Sequence, residues 1–233
     1  MSQIPPPPPP PGFNPPPPPP PPGAMSSGAG FTPSAAISYA WSATMKNIGP
    51  LVLMTLVILV VQVLMQFIFG RGTGAIAFLF SIATSIISLI LAMGLIRAAL
   101  RVTDGGTPEL SQLTETDQLG PYIVQAILVG LAIGIGLLIC IIPGLIAAVL
   151  FAFAGYAVID SRDGDAVGAI KRSFEIVKGN FGAVLGLMVL LILINVVGAL
   201  LCLIGLLFTY PMTSVAIAYA YRTLNGQPVA NIS

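Results

Sequence analysis

Few residues in this chain are equipped for chemistry, and their spacing limits them further. There is no histidine, so the usual proton shuttle and the commonest haem or metal ligand is missing. Cys140 and Cys202 each stand alone in an apolar run. Two isolated thiols form neither a zinc nor an iron–sulfur site and read as small packing residues. No catalytic residue, cofactor ligand or metal ligand is assigned, because no nucleophile–base pair can be assembled from these side chains. The polar groups left inside apolar stretches are amides and hydroxyls. Gln62 and Gln66 lie four apart, hence on one helix face; Ser81, Thr84, Ser85 and Ser88 make a second stripe; Asn195 stands alone. Lipid offers such groups no hydrogen bonds, so they are expected to point into a helix bundle and hold it together. No acid or base lies well inside an apolar stretch, which disfavours ion-coupled transport and leaves open a path for a neutral solute.

Those side chains must be positioned by membrane-spanning elements. Of 233 residues, 56% are hydrophobic and 7% charged, against roughly 25% charged in a soluble domain. Nine basic and eight acidic residues cannot cover the surface of a soluble globule of this size, and the balance offers nothing to a nucleic acid. The pattern predicts an all-α polytopic membrane protein with six transmembrane helices. The apolar segments are Pro50–Phe69, Ala75–Ile96, the run Pro121–Ile159 broken at Pro143-Gly144, and the run Phe181–Tyr221 folding back between Leu203 and Pro211. With both termini on one side, that side holds Lys46, Arg97, Arg101, Arg162, Lys171, Arg172, Lys178 and Arg222, and the other holds only Arg71. The positive-inside rule then places both termini on the cytoplasmic side.

Three internal units are legible. Residues 120–164 align without a gap to 182–226: Gly120 meets Gly182, Gly136 meets Gly198, Cys140 meets Cys202, and Gly164 meets Gly226. Asp163-Gly164, Asn225-Gly226 and Asp104-Gly105 end three hairpins alike, and residues 35–49 align with 168–182. Each unit reads as an amphipathic interfacial helix followed by a transmembrane hairpin. In the last unit Val167, Ile170, Phe174 and Val177 recur at helical spacing opposite Lys171, Arg172, Glu175 and Lys178, with Asp163 or Asp165 as cap. In the first, Ile37, Trp41, Met45 and Ile48 form the stripe after Thr32-Pro33. The middle one, Pro108 to Leu119, is weaker and acidic. Trp41, Lys46, Lys171, Arg172, Phe174 and Lys178 are the expected membrane-interface anchors, contacting lipid headgroups. Gly130 with Gly134, and Gly182 with Gly186, offer close helix approaches.

Residues 1–34 carry no charge and are dominated by Pro5–Pro11 and Pro15–Pro22. Such a segment adopts polyproline II without a packed core, and the stretch from Pro5 to Pro22 spans roughly 55 Å at about 3.1 Å per residue. It is expected to be disordered, serving as a stiff tether or as a docking ligand for an aromatic-lined groove. The domain reading is a tail at 1–34, a six-helix domain at 35–226 and a short tail at 227–233.

The residues Ala169-Ile170, Ser173-Phe174-Glu175, Val177 to Phe181, and Tyr210-Pro211 to Tyr221-Arg222 resemble a bacterial six-helix membrane family that includes the domain fused to some glycerophosphodiester phosphodiesterases. No phosphodiesterase domain accompanies them here. With its polyproline head the chain resembles the proline- and glycine-rich transmembrane proteins of actinobacteria, among them a proline-rich accessory subunit of the cytochrome bcc–aa3 respiratory supercomplex. The resemblance implies a non-catalytic subunit that binds no redox centre and sits beside respiratory subunits in a larger membrane complex. Lipid or neutral-solute transport or flipping is the alternative, and a regulator acting through the proline head is a third reading.

Overall fold

The computed structural model describes residues 31–69, 74–201 and 204–232, all within the compact unit Phe31–Ser233. The polyproline blocks, Arg71 and Cys202 lie outside the described residues. Helix α1 (Pro33–Lys46) starts where the sequence predicts: the Thr32 hydroxyl accepts from the Ala35 N–H, and Pro33 holds the first turn. It leads into α2 (Ile48–Phe69) and α3 (Gly74–Thr103), then a 3-10 turn (Leu110–Leu113), α4 (Leu119–Ile139), α5 (Ile141–Leu150) and α6 (Ala154–Ser161). Helix α7 (Ala166–Gly179) is capped by Asp165, whose carboxylate accepts from the Gly168 N–H at 2.8 Å. Helices α8 (Phe181–Leu200) and α9 (Ile204–Leu224) complete the chain. Among the described residues six stretches are long and apolar enough to cross a membrane: α2, α3, α4, α5 with α6, α8 and α9. This is an all-α, multi-pass membrane protein.

Two hairpin turns fall earlier than the prolines imply. The break in the second hairpin is at Cys140, whose backbone is extended at φ −168° and ψ 153°. Pro143 instead sits in the first turn of α5, where a backbone N–H has no helical acceptor and its loss costs nothing. In the third hairpin α9 already runs from Ile204, and Pro211 lies buried inside it. The turns are set by glycine contacts. A Cβ on Gly136 would come within 2.8 Å of the Gly144 Cα, and one on Gly205 within 2.7 Å of the Gly198 Cα. Gly130 and Gly134 have nothing within 4 Å of such a Cβ, so among the described residues the GxxxG spacing there makes no close helix contact.

The opposite ends of the hairpins are alike in backbone as in sequence. Gly105, Gly164 and Gly226 have φ of +84°, +75° and +70°, a conformation glycine adopts without strain. Eleven residues before each of them, on the returning arm, stand Gly94, Phe153 and Val215. These mark where the connecting elements dock. The 3-10 turn packs on α3, α7 on α6, and α1 on α9. A Cβ on Gly94 would lie 2.5 Å from the Leu113 Cα, Phe153 is fully buried beside Ser173, and Val215 is fully buried on α9. The three units therefore repeat in space, each returning arm carrying one elbow.

Burial is concentrated at the end that bears the elbows and charges. Residues 59–90 include no buried position, residues 126–148 only Gly136 and Gly144, and residues 192–210 only Gly198, among those described. The hydrophobic core lies instead among Leu51, Met93, Val102, Phe153, Val184, Leu187 and Tyr221. The two elbow helices dock through small residues: Ala36, Ala40 and Ala43 on α1, and Ala166, Ala169 and Ser173 on α7. Part of the large apolar stripe turns outward, with Trp41 51% and Val167 49% exposed, while Val177 is fully buried. The predicted middle helix from Pro108 shrinks to the 3-10 turn, closed by Glu109 and Gln112; its threonines and acids favour turns over a helix.

Candidate functional site at the charged end

Four residues before each end glycine stand Arg101, Asp160 and Arg222. The spatial repeat brings these positions to one cavity of about 830 Å³, lined also by Arg97, Asp104, Gln112, Glu115, Asp117, Gln118 and Arg162. Arg222 is its centre. One guanidinium nitrogen pairs with Asp104 at 2.9 Å and the other with Asp160 at 3.0 Å, and the Arg222 and Asp160 side chains are each 12% exposed. The Asp160 carboxylate also accepts from the Tyr221 hydroxyl at 3.0 Å and the Gln227 amide at 2.7 Å. The C-terminal segment closes over this clasp, with the Ala230 N–H donating to the Thr103 carbonyl at 2.8 Å. One arginine thus ties the ends of all three hairpins together. Burial pushes the Asp104 carboxyl above its ordinary range, and the neighbouring Arg222 pulls it partly back.

The rest of the rim is mixed in charge. Arg97 donates to the carbonyls of Glu115 and Asp117, and Arg101 pairs with Glu109 at 2.8 Å. Among the described residues, Gln118 and Arg162 are the non-glycine residues with left-handed backbone, at φ 64° and 52°. They hold each other through a 3.1 Å bond from the Gln118 amide to the Arg162 carbonyl. Arginines and carboxylates balance around the cavity, so it can bind polar groups without strong preference for one sign. Among the described residues no cluster of three His, Cys, Asp or Glu could hold a metal.

A second polar junction lies deeper. The fourth span is interrupted between Leu150 and Ala154. Ser173 of α7 fills the gap: its hydroxyl accepts from the Phe153 N–H at 3.2 Å and donates to the Leu150 carbonyl at 2.9 Å. One side chain replaces a missing rung of the helix ladder, satisfying both groups that burial would otherwise leave costly.

The predicted packing residues separate. Asn195 does join two helices: its amide donates to the Thr213 hydroxyl at 2.6 Å and the Leu191 carbonyl at 2.8 Å, and its oxygen accepts from Thr209 at 3.1 Å. Gln62 and Gln66 do not point into the bundle; both are exposed. They share a face with the buried Leu51, Thr55 and Ile58, but Ile58 is the last buried position of α2, with Val61 half-buried beyond it. The hydroxyls of Ser81, Thr84 and Ser85 bond to carbonyls of their own helix.

Among the anchors, Trp41 meets Phe208 edge-on at 5.1 Å while Tyr39 stacks against Tyr219 at 4.5 Å. Two neighbouring α1 residues thus reach points eleven residues apart on α9, about 16 Å along its axis, so α1 crosses that helix. Lys46 lies in the last turn of α1. Lys171 is exposed, and Lys178 sits 5.9 Å over the half-exposed Phe174 ring. Arg172 is half-buried beside Tyr221, which places it at the clasp. Sequence alone does not single out Asp160 or Gln227, and it marks Ser173 and Arg222 only through the resemblance and the charge bias, not as polar joints. The register of the end glycines was the signal that could have found Asp160 and Arg222.

A family model described as "Domain of unknown function (DUF7847)" matches residues 71–230. An uncharacterized protein of Mycobacterium tuberculosis, Rv2560, is 31% identical over 159 residues, covering 68% of this chain and 48% of that relative. An uncharacterized protein of Mycobacterium bovis, Mb2590, matches to the same extent. The chain therefore spans about half the length of these curated relatives. No solved structure matches.

Proposed function

From the premise that the chain belongs to the DUF7847 family, we propose that it is a non-catalytic accessory or scaffolding subunit of a larger membrane assembly. The observation that carries this reading is the uneven packing. The charged ends of the hairpins are clasped by Arg222, whereas the far halves of the spans bury almost nothing of their own. Those apolar faces are available to helices of other subunits, and the charged end fixes the hairpins that present them. The resemblance in the proline-rich head nominates the cytochrome bcc–aa3 respiratory assembly of a bacterial inner membrane as the partner, with both termini cytoplasmic.

A tagged copy purified in mild detergent should bring down respiratory subunits with haem absorbance. That colour should come from the partner, since this chain has no histidine, the commonest haem ligand; oxidase peptides in the same preparation identify its source. A colourless preparation free of oxidase peptides across several mild detergents rejects the respiratory partner.

The alternative, passage or flipping of a lipid or neutral solute, is favoured by the interruption of the fourth span at Leu150–Ala154. Broken spans often line a substrate path. Purified protein in vesicles that moves a labelled lipid would support it over the accessory reading.

A further inference from the structure

The far half of α2 continues a face that its near half buries. Leu51, Thr55 and Ile58 are buried; Gln62 and Gln66 follow on the same face and are exposed. Neither amide has a hydrogen-bond partner among the described residues. Gln62 lies seven residues before Phe69, the end of α2, hence about 10 Å inside the helix. The other polar groups at that level are satisfied within the chain. Ser81 and Ser85 bond to the carbonyls of Phe78 and Ser81, and Asn195 bonds across to α9. The two glutamines are thus an unmet demand for one donor and one acceptor at each of two levels, one turn apart, in surroundings that make unpaired amides costly.

We propose that two copies of this chain pair through the Gln62–Gln66 face of α2. A primary amide is self-complementary, donating through nitrogen and accepting through oxygen. Copies inserted in the same direction are related by a two-fold axis along the membrane normal, which sets α2 against its own copy in parallel. Gln62 then faces Gln62 at equal depth, and each amide donates to the other's carbonyl; Gln66 repeats the pair one turn on. A second copy supplies a matching donor and acceptor at both levels by symmetry alone, whereas a lysine, an arginine or an ionised carboxylate on another helix supplies only one half of it. The pairing stands independently of the accessory-subunit reading.

Cross-linking of the full chain in native membranes tests this, with Cys140→Ala and Cys202→Ala as background. Met65→Cys lies on the glutamine side of α2 and Leu64→Cys on the opposite side. Oxidation should give a homodimer with Met65→Cys, in at least tenfold higher yield than with Leu64→Cys. Adding Gln62→Leu and Gln66→Leu to Met65→Cys should lower the yield about tenfold while thermal unfolding of the solubilised chain stays unchanged. Equal yields at positions 64 and 65 overturn the proposal, as does a yield insensitive to the glutamine substitutions. A Met65→Cys product whose mass shows only a different polypeptide overturns it in favour of another partner.

Discussion

Arg222 and Asp160, at equivalent positions of the third and second hairpins, form a 3.0 Å ion pair between side chains each 12% exposed. The same guanidinium holds Asp104 of the first hairpin. Breaking a largely buried pair strands the partner's charge, which costs about 3–5 kcal/mol in other proteins. Arg222→Met should therefore lower the thermal unfolding temperature of the solubilised protein markedly. Arg101→Met, which breaks an exposed pair with Glu109, should cost no more than about 1 kcal/mol. Equal effects would show that the clasp does not hold the hairpin ends.

Ser173→Ala should leave the Phe153 N–H and the Leu150 carbonyl unpaired at a buried break. The expected loss is about 1–3 kcal/mol. It should come with faster amide exchange at Phe153, which a general loosening of α7 would not confine to that site.

Asn195→Leu removes the link to Thr209 and Thr213. A loss of roughly 0.6–2 kcal/mol is expected. If vesicle-reconstituted protein moves a lipid or solute, this substitution should leave the rate intact. Abolished transport with the fold preserved would make Asn195 part of a substrate path.

Gly136→Ala drives a methyl into the Gly144 backbone and should destabilise by about 1–3 kcal/mol. Gly130→Ala meets open space and should be neutral or slightly stabilising through helix propensity. Comparing the two unfolding midpoints separates glycines that make a contact from those that merely share a spacing.

The orientation is tested by single cysteines at Arg71, Thr107 and Ser233, in the background lacking Cys140 and Cys202. An impermeant thiol reagent applied from outside should label only position 71, because the opposite side carries the other basic residues. Labelling at Thr107 or Ser233 reverses the assignment.

Hydropathy alone determined the number of spans, because a membrane crossing needs only a length of apolar side chains. Local chemistry placed the Thr32 and Asp165 caps and the glycine ends of the hairpins, since a cap or a left-handed turn depends on residues a few positions apart. Tertiary structure decided the rest. Pro143 and Pro211 fell inside helices because close glycine contacts fixed the turns elsewhere. The elbow helices docked largely by alanine and serine because small side chains allow near approach, turning Trp41 and Val167 of the larger apolar stripes outward while Val177 stays buried. Gln62 and Asn195 looked alike in sequence, yet only Asn195 had a threonine-bearing helix across from it. The clasp joins Arg222 to an aspartate 118 residues away, and such a pairing forms only when three hairpins, each with its own local logic, are packed against one another.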